Sequence, residues 1–308
     1  MSTVFAALLP VFLLIVLGFV LRRLLLTEEA HWVGCEQLVY YVLFPALLIE
    51  TLARADLAHV PVVGVGGALL LAVAAISILC LSLQPLLAAR LGIGGAAFTS
   101  IFQGATRWQT YVALAVAGNL FGDAGLALAS VAIIAMIPPL NVINVWVLAH
   151  YAAPQRPIWH RTLLTIARNP LIWACLIGLA INVAGIPVPH ALLDFANVLG
   201  RSALAIGLLT VGAGLQLKGM STSRMPVVLT IGLKLVAMPA IAIALGLAFN
   251  LSGQNLAVVA CCASVPSTSN AYVLARQMGG DAALLAQILT LQTALAVLTM
   301  PVAIMLAT

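Results

Sequence analysis

The sequence predicts an all-α polytopic membrane protein of ten transmembrane helices, arranged as two five-helix repeats of opposite orientation. Three observations carry this expectation. The chain of 308 residues is 64% hydrophobic and only 7% charged, with a mean hydropathy of +1.18. Its apolar runs number ten, and basic residues cluster in alternate connections between them. Short motifs recur at a nearly constant offset.

The composition excludes several classes. A soluble domain carries roughly a quarter of its residues as charged side chains. Disordered chains and nucleic-acid binders need high charge density as well, so no nucleic-acid partner is expected. At about 20 residues per crossing, the length accommodates roughly ten spans. An enzyme would have to work inside the bilayer, so transport is the expected activity, without covalent chemistry, ATP motif, cofactor or metal. The five cysteines (Cys35, Cys80, Cys175, Cys261 and Cys262) lie in or beside apolar runs. Their spacing suggests neither a metal site nor a redox pair, and they read as buried, reduced thiols.

The first run, 3–21, is followed by Arg22 and Arg23, the reverse of a secretory signal, and reads as a retained helix. Runs at 33–53, 61–86, 95–118 and 124–149 complete a first repeat over residues 1–150. The longest connection runs from His150 to Arg168. Its Pro154, Arg156, Pro157 and Arg161 read as a cytoplasmic link carrying a short amphipathic piece. Runs at 169–186, 192–217, 226–250, 254–275 and 282–306 form a second repeat over 151–308. Those at 95–118 and 254–275 are interrupted by polar residues.

Orientation follows from arginine and lysine. The odd loops hold Arg22, Arg23, Arg90, Arg156, Arg161, Arg168, Lys218, Arg224 and Arg276, whereas the even loops hold only Arg54. Nine against one places the odd loops in the cytoplasm and both termini outside.

The repeat rests on two matches. Pro10 and Gly18 correspond to Pro170 and Gly178, offset by 160; Gly122-Asp123 corresponds to Gly280-Asp281, offset by 158. An odd number of helices per repeat inverts the second half. That is the plan of secondary transporters, whose sites form where discontinuous helices of the two halves meet. An intramembrane aspartyl protease is excluded, because Asp123 and Asp281 fall on opposite faces. Both read as caps of the helices that follow.

The candidate site lies on the fourth and ninth spans. In the ninth, Pro266 breaks the hydrogen-bond ladder near mid-depth, and Ser267, Thr268 and Asn270 follow it. The freed backbone groups must face protein or a polar cavity. A plain proline kink with hydroxyls bonded back to their own helix is the alternative. In the fourth, Arg107 falls near mid-membrane, where charge is expensive. It reads either as a carboxylate clamp or as half of a structural ion pair. Gln103, Thr106, Gln109 and Thr110 would orient a substrate, and Trp108 or Tyr111 would cover its apolar body.

Lys234 lies two turns into the eighth span, where an ammonium would replace a bound cation or titrate. Arg201 reads as deep in the seventh span. Glu50 lies near the outer end of the second, with snorkelling expected, while Glu36 and Asp194 read as solvated. Glycines around Gly64, Gly66 and Gly67, and around Gly207, Gly212 and Gly214, are expected to pack helices closely.

Several of these segments together resemble the auxin efflux carrier family, in its bacterial members. They are Leu9 to Arg23, Thr27-Glu28-Glu29-Ala30, Leu43 to Leu48, Asn169 to Ile172, Gly212 to Leu215, Lys234 to Pro239 and, most specifically, Val265 to Ala275. The resemblance implies two inverted repeats with helices 4 and 9 broken and crossing at the site. It implies a scaffold domain of helices 1, 2, 6 and 7 and a transport domain of helices 3–5 and 8–10. It further implies elevator-type movement, homodimers through the scaffold, and organic anions such as small carboxylates or auxin-like weak acids as substrates. Pro266 and Asn270 are the implied crossover residues of helix 9. Lys234 matches a basic residue that stands where related bile-acid symporters bind sodium. Helix 4 departs from the family, having Thr106-Arg107-Trp108-Gln109 and no proline, so its break would be softer or made by Gly104.

The function expected is therefore secondary transport of an organic anion across the bacterial cytoplasmic membrane. A sodium-coupled symporter of the bile-acid type and a non-transporting sensor or assembly protein remain as alternatives.

Overall fold

The computed structural model of the protein describes residues 2–55, 61–152, 167–215, 224–268 and 270–308. Among them every regular element is helical and no strand occurs. In chain order these are α1 (Ser2–Leu24), α2 (Glu29–Arg54), α3 (Val62–Leu91), α4 (Gly95–Thr106) and α5 (Thr110–Tyr151). There follow α6 (Pro170–Val183), α7 (His190–Ala213), α8 (Arg224–Ala248), α9 (Gly253–Ser264), α10 (Asn270–Met278) and α11 (Ala282–Leu306). Seven stretches are long and apolar enough to cross a membrane, and α6 and α9 are shorter apolar helices. The amphipathic connection predicted around Pro154, Arg156, Pro157 and Arg161, and also Lys218, lie outside the described residues.

The longest apolar stretch, Gly95–Tyr151, has 57 residues and covers two predicted runs. Gly122 resolves this. Its φ of 59° and ψ of −146° lie outside helical space, in a region open chiefly to glycine. Past it, a Cβ on Gly125 would meet the carbonyl of Ala117. In a continuous helix those positions stand about 12 Å apart along the axis. The chain therefore doubles back at Gly122, and α5 makes two passes. With that turn, the helices correspond to the ten apolar runs.

Two helices widen into π turns, at Val39–Leu43 in α2 and at Leu233–Ala237 in α8. Each precedes a proline by two residues, Pro45 and Pro239. A proline ring clashes with the carbonyl four residues back and offers no N–H; here that carbonyl belongs to Tyr41 or Leu235, inside the widened turn. The second π turn carries Lys234.

The helices group into two compact units. The first comprises Met1–Val63, Thr110–Ile134 and Arg168–Gly214. Within it α1 packs on α7, and α2 on both α6 and α7. Gly212 makes the first contact possible, because a Cβ there would strike the backbone of Ile15. Phe44 stacks on Tyr111 with ring centroids 4.6 Å apart, and Gly207 leaves room for both rings. Asn182 Nδ2 donates to the carbonyls of Leu52, Ala53 and Ala55 at 3.0, 3.1 and 2.7 Å. One side chain thus closes the C-terminal end of α2, whose last carbonyls have no helical partner.

The second unit comprises Gly64–Gln109, Ala135–Ala167 and Leu215–Thr308. Within it α9 packs on α8 and α11, and α4 packs on the same two helices. Asp281 caps α11 as predicted, accepting from the Leu284 N–H at 2.9 Å. Asp123 makes no such cap; it borders a cavity of the first unit.

Large apolar side chains remain exposed on many helices, among them Leu9, Leu13, Val16 and Leu17 on α1 and Ile78 on α3. A water-facing monomer does not present such continuous apolar faces; a lipid-facing helix does. All five cysteines are free, with Cys35 half-buried and the other four buried.

Candidate functional site

The second unit holds two helices of equal length that end in the same way. Helix α4 has 12 residues and stops at Thr106; α9 has 12 residues and stops at Ser264. Their first residues, Gly95 and Gly253, are 158 positions apart, the offset of the Gly-Asp motifs. Each is followed by one extended residue: Arg107 at φ −66°, ψ 160° and Val265 at φ −64°, ψ 150°. Val265 precedes Pro266, which disfavours helical backbone in the residue before it. Arg107 has no proline after it, and tertiary hydrogen bonds hold its turn.

Four such bonds tie the two ends together. The Gln109 N–H donates to the Pro266 carbonyl at 3.1 Å. Ser267 Oγ donates to the Gln103 carbonyl at 3.1 Å. Gln292 Nε2, from α11, donates to the Gly104 carbonyl at 3.0 Å, and its Oε1 accepts from the Ser267 N–H at 3.1 Å. In the last turn of α4 the Gly104 carbonyl thereby gains a partner, and that of Gln103, which also accepts from the Arg107 N–H at 2.9 Å, gains a second. Gly104 is not the break that the missing proline suggested. It lies inside α4, where a Cβ would come within 2.7 Å of Thr230 Cγ2 and 2.8 Å of Ile288 Cγ2. Its role is close packing.

Around this junction sit buried polar groups without partners. Gln103 is fully buried and neither atom of its amide is hydrogen-bonded. Arg107 is 8% exposed and its Nε has no partner; the indole N–H of Trp108 has none either. No carboxylate among the described residues lies within ion-pair distance of Arg107, so the structural ion pair is not formed. Lys234 is fully buried, its Nζ makes no hydrogen bond, and Cys262 is its electrostatic neighbour. The charge balance is one-sided. Among the described residues of the second unit there are five basic residues, Arg90, Arg107, Arg224, Lys234 and Arg276, but of the acids only Asp281. Uncompensated buried cations are costly in low dielectric, and a bound anion is what would offset them.

The other predicted residues divide. Pro266 and Ser267 are buried at the junction, Gln109 is buried beside them, and Thr268 is half-buried. Thr106 is committed elsewhere: its hydroxyl donates to the Phe102 carbonyl at 2.8 Å and stands 3.4 Å from Asn144 Oδ1. Thr110 is buried at the start of α5. Tyr111 is engaged with Phe44 in the first unit. Asn270 is exposed at the start of α10, outside the hydrogen-bonded junction. Two charges of the first unit, Glu50 and Arg201, also differ from expectation. Glu50 does not snorkel but is buried, 3.3 Å from Arg54 Nε. Asp194 is solvated as expected, yet accepts from Arg54 at 2.8 Å. Arg201 is exposed, its Nε donating to Asn197 Oδ1 at 2.9 Å.

Gln292 was not singled out by the sequence, although it completes the junction. The available signal was an uncharged amide inside an apolar run, which needs a protein partner at membrane depth.

Comparisons with known proteins bear on the chain as a whole. A family model described as membrane transport protein matches residues 155–304. An uncharacterized transporter of Methanothermobacter thermautotrophicus is 26% identical over 302 residues, covering 95% of each chain. The chain is thus a multi-pass membrane protein whose second half is similar to membrane transport proteins.

Proposed function

We propose that the protein is a secondary transporter that moves an organic anion, a small carboxylate or an auxin-like weak acid, across the cytoplasmic membrane. The observation that carries this reading is Arg107. It is a buried guanidinium with no acidic partner, at the end of an interrupted helix, beside the unsatisfied amide of Gln103. A planar fork of donors in a dry site suits a carboxylate. Gln109, Ser267, Thr268, Thr106, Thr110 and Asn270 are the accessory candidates, and Pro266 shapes the helix 9 break. Lys234, buried without a partner, is the candidate for coupling.

The same reading assigns helices 4 and 9 as crossing discontinuous helices of two inverted repeats. Equal lengths, extended end residues and the 158-residue offset support this assignment. It also assigns helices 1, 2, 6 and 7 to a scaffold and helices 3–5 and 8–10 to a transport domain that moves in elevator fashion. The two compact units support the division, with the stretch Thr110–Ile134 grouping with the first. Homodimerisation through the scaffold and outward termini belong to the same proposal, the latter supported by the arginine and lysine distribution.

The test is thermal unfolding of the purified protein against mono- and dicarboxylates and indole acids, each as sodium and potassium salts. A ligand that binds only the folded state raises the midpoint. A sodium-independent shift with carboxylates, lost in Arg107→Ala, is expected. A shift that requires sodium would replace this reading with a sodium symporter.

A further inference from the structure

The first unit contains a cavity of about 540 Å³ that shares no lining residue with the proposed transport site and belongs to α2, α5 and α7. Glu50, Thr51 and Arg54 come from the end of α2, Asp123 from just past the Gly122 turn, and Asp194, Asn197 and Arg201 from the first half of α7. We propose that this cavity is a second binding site, selective for a small zwitterion that carries a primary ammonium and an anionic group.

The charges on its walls are not all spent on one another. Arg54 bridges Glu50 at 3.3 Å and Asp194 at 2.8 Å, so three charged groups neutralise internally to a net carboxylate. Asp123 has no ion-pair partner within 4.0 Å among the described residues, and Arg201 is held only by the neutral amide of Asn197. The cavity thus offers a carboxylate in no close ion pair, with Arg54 as its electrostatic neighbour, and a guanidinium without an acidic partner, the complement of a molecule with both charges. A simple anion would meet three carboxylates, and a simple cation would leave Arg201 unanswered.

Thr51 gives an independent sign of a ligand. It lines the cavity, is 4% exposed, and its buried Oγ1 has no hydrogen-bond partner. A helical threonine ordinarily bonds its hydroxyl to the preceding turn. A buried polar atom left without a partner calls for an occupant. That occupant is not a metal, because the described residues include no group of three or more ligating side chains that could hold one. The volume falls within the range of small-molecule pockets, roughly 300–1,000 Å³. The shared chemistry is met by a free amino acid or by the headgroup of an aminophospholipid.

The test is binding to the purified full-length protein, followed by calorimetry and by the unfolding midpoint. Probes are alanine, leucine and lysine; short-chain phosphatidylethanolamine and phosphatidylcholine; and ethylamine and acetate as single-charge controls. In the Arg107→Ala background, which removes carboxylate binding at the proposed transport site, zwitterions with a primary ammonium should bind and the single-charge controls should not. Alanine, leucine or lysine binding identifies a soluble ligand. Binding of the ethanolamine lipid but not the choline lipid identifies a headgroup. Asp123→Asn and Arg201→Gln should each weaken binding by about tenfold or more, while Arg107→Ala should leave it unchanged. The ligand-free midpoints report whether each variant is folded, and both residues are exposed. Absence of binding by every zwitterion overturns the proposal. So does binding kept in both folded variants, or lost only in Arg107→Ala.

Discussion

The backbone N–H of Gln109 donates to the carbonyl of Pro266 at 3.1 Å, joining residues 157 positions apart at the ends of two interrupted helices. One of these interruptions is made by proline chemistry. The other is made by its surroundings, with Ser267 and Gln292 bonding carbonyls in the last turn of α4. Helix-breaking backbone survives in a membrane protein only where its polar groups are satisfied by protein or face a cavity. Arg107 and Gln103 are positioned by this arrangement while their own polar groups remain available.

Gln292 should therefore be a structural keystone of the junction. Gln292→Leu removes the donor to Gly104 and the acceptor for Ser267, leaving two buried backbone groups unpaired. At about 1–3 kcal/mol for each buried group, the variant should lose at least about 2 kcal/mol of stability. Thermal unfolding in detergent checks this. Gln292→Glu keeps an acceptor for Ser267 and should be less damaging than Leu.

Arg107 should behave in the opposite way. No ion pair is broken when it is removed, so Arg107→Ala should unfold at or above the wild-type midpoint without ligand. Its stabilisation by carboxylates should vanish. Arg107→Lys, a point charge without the planar fork, should keep a reduced shift. Paired melts with and without anion separate these effects.

Glycine substitutions should sort by the space around them. At Gly212 a Cβ would meet the Ile15 backbone, and at Gly104 it would press on Thr230 and Ile288. Gly104→Ala should cost about 1–3 kcal/mol, the usual penalty for overpacking. Gly212→Ala should cost more, because backbone rather than side chain must move. Gly34 has nothing within 4 Å, and Gly34→Ala should be neutral or slightly stabilising through helix propensity.

Asn182 offers a test confined to the first unit. Its amide serves three carbonyls at the end of α2, so Asn182→Leu should destabilise by about 1–3 kcal/mol. A change near zero would show that water replaces the amide there.

The apolar runs were legible because each residue in lipid must be apolar, and the Gly122 turn was legible as a Gly-Asp pair between two runs. Pro266 was legible for the same kind of reason, since its ring dictates a local break. The break at Arg107 was harder, because nothing in Thr106-Arg107-Trp108-Gln109 forces it; the partners come from residues 157 or more positions away. Thr106 and Asn270 are polar residues in the right neighbourhood, yet local bonding claims the first and exposure sets the second apart. Glu50, near a helix end, reads as a snorkelling group until its partner Arg54 is seen to sit one turn further on. Pairing between distant helices is where single-sequence periodicity carries no information.

The most direct test of the account is flux. Protein reconstituted into liposomes, with radiolabelled small carboxylates and indole acids offered outside, should show uptake in the absence of sodium. Arg107→Ala, folded and reconstituted to the same density, should show none. Uptake that survives in Arg107→Ala, or wild-type liposomes that take up no organic anion, would contradict it.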